Sequence, residues 1–161
     1  MVFSAAHFIT FDLASEAEVC ESLHGHNYGV RVEIEGPLNH QAYVVDFIAL
    51  RDQMMRLTSK LDHKMLLPQR HPSIAVSKEG EEIVARYRDR RWIFPEDNCV
   101  LLPIANTTAE LLAHYLGDQL LDWLKDEQRC QVNRITVSID ENHGQWGIWE
   151  WQAANGPDRE Y

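Results

Sequence analysis

The stretch His24-Gly25-His26-Asn27-Tyr28-Gly29-Val30-Arg31-Val32-Glu33-Ile34-Glu35 reads as a β-strand, rich in β-branched residues and closed by Gly36-Pro37. Alternate residues of a strand face the same side. The even positions are His24, His26, Tyr28, Val30, Val32 and Ile34; the odd ones are Gly25, Asn27, Gly29, Arg31, Glu33 and Glu35. Two imidazoles are therefore in phase with the apolar side chains that would face a core. Such a placement costs free energy unless something pairs the rings.

A metal ion is the simplest partner. His24 and His26 stand about 6.6 Å apart along a strand, which suits two imidazole arms converging on one ion. A third arm is available from Phe3-Ser4-Ala5-Ala6-His7, where His7 shares its parity with Phe3, Ala5 and Ile9. If the two segments pair antiparallel, three imidazoles meet. Three protein ligands with one open position is the pattern of catalytic zinc, whereas structural zinc is closed by four. An H-x-H pair also arises in strands with no metal. The in-phase His7 and the nearby Cys20 favour the metal.

Composition bounds the rest. A chain of 161 residues buries about 70% of its unfolded surface as one domain. No apolar run approaches the roughly 20 residues of a membrane span, and no signal-peptide pattern opens the chain. Cys20, Cys99 and Cys130 are odd in number and widely spaced, so a reducing, cytoplasmic setting is expected. A formal charge of −10 and the lack of a basic stripe argue against nucleic acid. A phosphorylated substrate must then be held by a local basic pocket.

Along the chain, Phe3–Ile9 and His24–Glu35 read as strands and Tyr43–Val45 as a weaker extended piece. Asp46 is a plausible N-cap for a helix whose apolar stripe is Phe47, Leu50, Met54, Leu57 and Leu61. A second helix spans about Thr108–Leu124, and Ile135–Glu141 and Trp146–Trp151 close the chain as strands. The expected single domain covers 1–156, with a tail at 157–161 and an insert at about 68–102. Within the insert, Ser73–Tyr87 reads as two short strands around Lys78-Glu79-Gly80. Arg86, Arg88, Arg90 and Arg91 follow, either as a charged strand edge or as a flap or subunit contact near the site.

Three further groups carry possible chemistry. Asp62 beside His63 can orient that imidazole and raise its basicity, though such a pair also caps helices. Glu141 shares its parity with Ile135, Val137 and Ile139, so it points inward and needs hydrogen-bond donors. Thr107 and Glu110 fit the N-cap and N3 positions of a capping box.

Phe3 to His7, Cys20-x-x-x-His24-Gly25-His26-Asn27-Tyr28, Leu61-Asp62-His63-Lys64, Asn106-Thr107-Thr108-Ala109-Glu110 and a late strand glutamate occur in that order. The ordered set closely resembles the 6-pyruvoyl-tetrahydropterin synthase and 6-carboxytetrahydropterin synthase family. The resemblance covers most of the chain outside the insert. It implies an α+β tunnelling fold, a four-stranded antiparallel sheet with two helices on one face. It also implies trimeric barrels stacked into a homo-hexamer, a dimer of trimers, with active sites between subunits.

By the same resemblance, His7, His24 and His26 correspond to Zn2+ ligands. Cys20 falls on the catalytic cysteine, Asp62 and His63 on its proton-transfer partners. Glu141 falls on the glutamate that anchors the pterin ring, and Thr108 and Glu110 on the stretch lining that pocket. The three-residue gap between Cys20 and His24 resembles the carboxytetrahydropterin branch. That branch turns 7,8-dihydroneopterin triphosphate into 6-carboxy-5,6,7,8-tetrahydropterin, acetaldehyde and triphosphate, towards queuosine-type deazapurines. Two departures are Asn142, where a threonine usually follows the glutamate, and the long insert. Pyruvoyl chemistry, a zinc hydrolase and a catalytically silent pterin-binding paralogue remain as alternatives.

Overall fold

Strand pairing arranges everything else. The computed structural model describes residues 1–13, 16–126 and 130–153, so the expected tail at 157–161 lies outside the described residues. In chain order the elements are β1 (Val2–His7), β2 (Thr10–Leu13), β3 (Glu16–Cys20), β4 (His24–Glu35), α1 (Phe47–Ser59), β5 (Lys64–Pro68), β6 (Ala75–Glu79), β7 (Glu82–Tyr87), β8 (Arg90–Pro95), β9 (Cys99–Leu102), α2 (Ala109–Asp126), β10 (Arg134–Asn142) and β11 (Gln145–Gln152). Tyr43–Val45 is irregular, with a bend at Val44 and Val45, and not a strand.

The main sheet has six strands in the order β11-β10-β4-β1-β5-β9, not the expected four. The antiparallel part, β11-β10-β4-β1, matches the expectation. β5 and β9 add two parallel strands beside β1. Their sequences, Lys64-Met65-Leu66-Leu67-Pro68 and Cys99-Val100-Leu101-Leu102, are short runs without alternation. Periodicity cannot assign such runs, and burial on both faces explains them. Leu66 and Leu102 join the helix-side core, while Met65 and Leu67 join a second core on the opposite face.

The helix-side core gathers Phe3, Tyr28, Val30, Ile135, Val137 and Ile139 from the sheet with Met54, Leu57, Leu112, Leu116 and Leu120 from the helices. Both helices thus cover one face, as expected. Asp46 caps α1, its Oδ1 accepting from the amides of Ile48 at 2.8 Å and Ala49 at 3.3 Å. α2 packs on β11 through two close approaches. A Cβ at Gly117 would stand 2.1 Å from the Trp149 ring, and one at Gly147 would stand 2.3 Å from the Ala109 carbonyl carbon.

The insert is a three-stranded antiparallel meander, β6-β7-β8, one strand more than the expected hairpin. Its inner face supplies Ile83, Ala85 and Tyr87 to the second core, which also holds Phe8 and Cys20. The arginine run divides between two tasks. Arg86 bonds Glu79 at 3.0 Å, whereas Arg88 and Arg90 donate to the carbonyls of Glu18 and Cys20 at 2.9 and 3.0 Å. Tyr87 also donates to the Glu18 carbonyl, at 2.7 Å. The insert therefore holds the outer strand of the separate β2-β3 hairpin, the segment leading into the histidines of β4.

A polar chain ties the same hairpin from the other side. His71 Nδ1 accepts from the amides of Ser73 and Ile74, both at 2.9 Å, so its Nε2–H faces Thr10 Oγ1 at 2.7 Å. Thr10 in turn donates to Glu18 Oε1 at 2.9 Å. Burial holds the His71 imidazole below its ordinary range, against the opposing pull of Glu18. A depressed folded pKa contributes stability above the unfolded value, about 6.5 for histidine. That stability is lost as pH falls through the folded value. Acidification from pH 7 to 5 should therefore lower the melting temperature. His71→Asn, which can still accept from both amides, should flatten that fall; an unchanged slope would remove His71 from this account.

Candidate active site

The register of β1 on β4 places His7 opposite His24 and Ala5 opposite His26. Antiparallel pairing thus brings the three imidazoles together, with ring centroids 4.7 to 5.2 Å apart. One nitrogen from each lies within 4.8 Å of the others, and among the described residues this is the group of possible metal ligands found. His7 is buried, at 1% exposure, while His24 and His26 are 37% and 22% exposed. The cluster has a closed floor and an open side.

Backbone carbonyls choose the tautomers. His7 Nδ1 donates to the Thr107 carbonyl at 2.9 Å, and His24 Nδ1 to the Ser22 carbonyl at 2.9 Å. A carbonyl only accepts, so both neutral rings present an Nε2 lone pair to the cluster. His7 Nε2 is fully buried and makes no well-directed hydrogen bond. It stands 3.0 Å from Glu141 Oε1, so two acceptors face each other with no proton assigned between them. A cation resolves that arrangement. The donor set therefore fits a metal ion held by His7, His24 and His26.

Glu141 reaches the cluster from a bulge in β10, between Asp140 and Asn142, a device that re-aims a side chain at a sheet end. Its Oε1 also lies 3.6 Å from His26 Nε2 and 3.5 Å from the Tyr28 hydroxyl. The side chain is 24% exposed, so it is half-buried where full burial was expected. Burial pushes its pKa up, but positive charge on the cluster, when the imidazoles of His7, His26 and His24 are protonated, holds it below the ordinary range. Burial lowers the His26 imidazole, and Glu141 opposes that shift.

Asp62 and His63 form the expected pair, His63 Nδ1 lying 2.8 Å from Asp62 Oδ2. The Ser4 amide donates to Asp62 Oδ1 at 2.8 Å. These bonds hold the carboxyl below its ordinary range. His63 adopts a φ of 56°, in the left-handed region that non-glycine residues seldom enter. Its ring and that of His26 line one open cavity of about 600 Å³, together with Leu23, Gly25, Lys64 and Phe94.

Two expectations need correction. Cys20 is expected near the histidines, as the catalytic cysteine. It is instead packed in the second core, 5% exposed, its Sγ donating to the Glu21 carbonyl at 3.5 Å. Burial raises its pKa, with Arg90 opposing. The capping box also shifts by one residue. Thr108 is the N-cap, accepting from the Leu111 amide at 3.4 Å, and Glu110 is an exposed residue of the first turn. Thr107 is instead fully buried, supplying the carbonyl that orients His7.

Glu21 also reaches the cluster. Its Oε2 lies 3.9 Å from His24 Nε2, but it sits between β3 and β4, where strand parity gives no signal.

The family model described as 6-pyruvoyl tetrahydropterin synthase matches residues 1–150. The chain belongs to that family. A Methanocaldococcus jannaschii protein with the provisional name 6-carboxy-5,6,7,8-tetrahydropterin synthase is 32% identical, over 89% of this chain and 85% of its own. The 6-pyruvoyl tetrahydropterin synthase of Plasmodium falciparum superposes with a TM-score of 0.80 at 28% identity, covering 94% of this chain and 92% of that one. A Plasmodium vivax synthase with a catalytic glutamate changed to alanine gives 0.81 at 26% identity, with the same two coverages. As a member of this family the chain keeps the helix-backed antiparallel sheet. No described helix is long and apolar enough to cross a membrane.

Proposed function

We propose that the protein is a zinc-dependent lyase converting 7,8-dihydroneopterin triphosphate and water to 6-carboxy-5,6,7,8-tetrahydropterin, acetaldehyde and triphosphate. The observation that carries this reading is the convergence of three imidazole nitrogens beside the Glu141 carboxylate. The relatives named as 6-carboxy-5,6,7,8-tetrahydropterin synthases support this product over the pyruvoyl one. Zinc suits three histidine ligands with an open position, and when bound it supplies Lewis acidity towards the side-chain hydroxyls.

The chain's own residues supply the remainder. Glu141 accepts from the pterin ring's N–H groups and orients the side chain towards the histidines. Thr108 and Glu110 complete that pocket. His63, fixed by Asp62 through Nδ1, exchanges a proton at Nε2. On the other side, Cys20 is the family's expected base, but its buried thiol is poorly placed to ionise. The adjacent Glu21 carboxylate faces His24, and a catalytic glutamate is the residue replaced in the Plasmodium vivax enzyme. We assign the proton abstraction to Glu21 with Cys20 as its alternative. The assembly proposed is the homo-hexamer, which would pair the open edges at β11 and β9.

Incubating the zinc-loaded protein with dihydroneopterin triphosphate and identifying products by mass spectrometry tests the reaction. Carboxytetrahydropterin with acetaldehyde supports it, and an unchanged substrate refutes it. Glu21→Gln should lower turnover by about 10²-fold or more, with Cys20→Ala losing less; the reverse order returns the base role to Cys20.

A further inference from the structure

As the chain leaves β1 for the β2-β3 hairpin, three successive carbonyls each accept a bond from a residue distant in sequence. The Phe8 carbonyl accepts from Thr107 Oγ1 at 3.3 Å, the Ile9 carbonyl from the Glu21 amide at 3.0 Å, and the Thr10 carbonyl from Asn106 Nδ2 at 2.9 Å. Two of the three donors are neighbours in the segment before α2. That segment is therefore stitched to the residues that directly follow His7.

The same segment is also fixed from within. Asn106 Oδ1 accepts from the Thr107 amide at 3.0 Å, so one side chain grips both the Thr107 peptide and the Thr10 carbonyl. Downstream, Thr108 Oγ1 accepts from the Leu111 amide, and the Thr108 carbonyl from the Leu112 amide at 2.9 Å. Leu112 is fully buried in the helix-side core. With both flanks held, the Thr107 carbonyl is aimed at His7 Nδ1, 2.9 Å away. Solvent offers no substitute partner, because His7 is 1% exposed and Thr107 is fully buried.

We propose that Asn106 is a positioning residue for the metal centre, acting on His7 through the Thr107 carbonyl. The inference rests on the three-histidine metal reading above and requires no pterin. A neutral imidazole ligates through one nitrogen only if its proton sits on the other. The Thr107 carbonyl keeps that proton on Nδ1 and leaves Nε2 free. If the carbonyl swings away, His7 can carry its proton on Nε2 instead, where Glu141 Oε1 stands 3.0 Å away to accept it. The floor of the site then offers no ligand.

Zinc affinity, read by competition with a chelator and with no substrate present, tests this. Asn106→Ala should weaken zinc by at least about tenfold, the lower end for losing an outer-shell partner. Asn106→Ser should lose about threefold, because its hydroxyl still accepts from the Thr107 amide but is too short to reach the Thr10 carbonyl. Asp46→Ala, which uncaps α1 away from the site, should lower the melting temperature yet hold zinc within about twofold. In the zinc-loaded chain the His7 Nδ1–H should give a slowly exchanging downfield proton resonance, and Asn106→Ala should quicken that exchange. Parent-like affinity or parent-like exchange in Asn106→Ala overturns the assignment, as does a matching zinc loss in Asp46→Ala. If Asn106→Ala does not fold, parent-like affinity in Asn106→Ser overturns it. A parent that holds zinc no better than a His24→Ala/His26→Ala variant overturns the metal reading and this assignment together.

Discussion

Elemental analysis of a His24→Ala/His26→Ala double variant is expected to find less than about a tenth of the parent's zinc, with turnover down at least about 10³-fold. Two of three ligands are removed, and His7 alone offers a single nitrogen at the floor of the site. Even the loss of a group that merely orients a ligand weakens metal sites by about 10–100-fold. The fold should survive, because the helix-side core is built from Tyr28, Val30, Ile135, Val137 and the leucines of α2. A circular dichroism spectrum like the parent's would show this. Full metal occupancy in the folded double variant would end the three-histidine assignment.

Glu141→Gln should keep zinc but lose pterin affinity by about ten- to a hundredfold. The substitution preserves shape and swaps one acceptor for a donor, so one ring N–H of the ligand is left buried and unpaired, at about 1–3 kcal/mol. The lost charge also weakens the remaining bond. Because Glu141 Oε1 is only 3.0 Å from His7 Nε2, zinc content and binding of a pterin such as sepiapterin must be measured on the same preparation. Loss of zinc would place Glu141 among the metal's ligands. Retained zinc with undiminished sepiapterin binding would remove the ring-anchor role and weaken the synthase reading towards a zinc hydrolase.

The residues that met expectation share a property. His24, His26 and Tyr28 lie on one long strand, and His7 on a second with the same alternation. A period of two assigns a face without knowledge of the partner. The same holds for Glu141, whose parity gave the right side although a bulge intervenes. Asp46 capped its helix as read because capping is a local bond between near neighbours.

What failed depends on neighbours distant in sequence. β5 and β9 carry no alternation because one core covers each of their faces, and the second of those cores is built by the insert. Cys20 has the expected spacing to His24, but spacing does not say where a thiol points. Phe8, Met65 and Ile83 draw it into the second core, which leaves the neighbouring Glu21 facing the histidines. The choice of Thr108 over Thr107 as N-cap turned on Thr107 being recruited by Phe8 and His7, about a hundred residues away. Sequence by itself determined which side chains share a face, because that follows from backbone periodicity. Tertiary structure alone decided which sequence-distant faces meet, and with them the tautomers of His7 and His24 and the burial of Cys20.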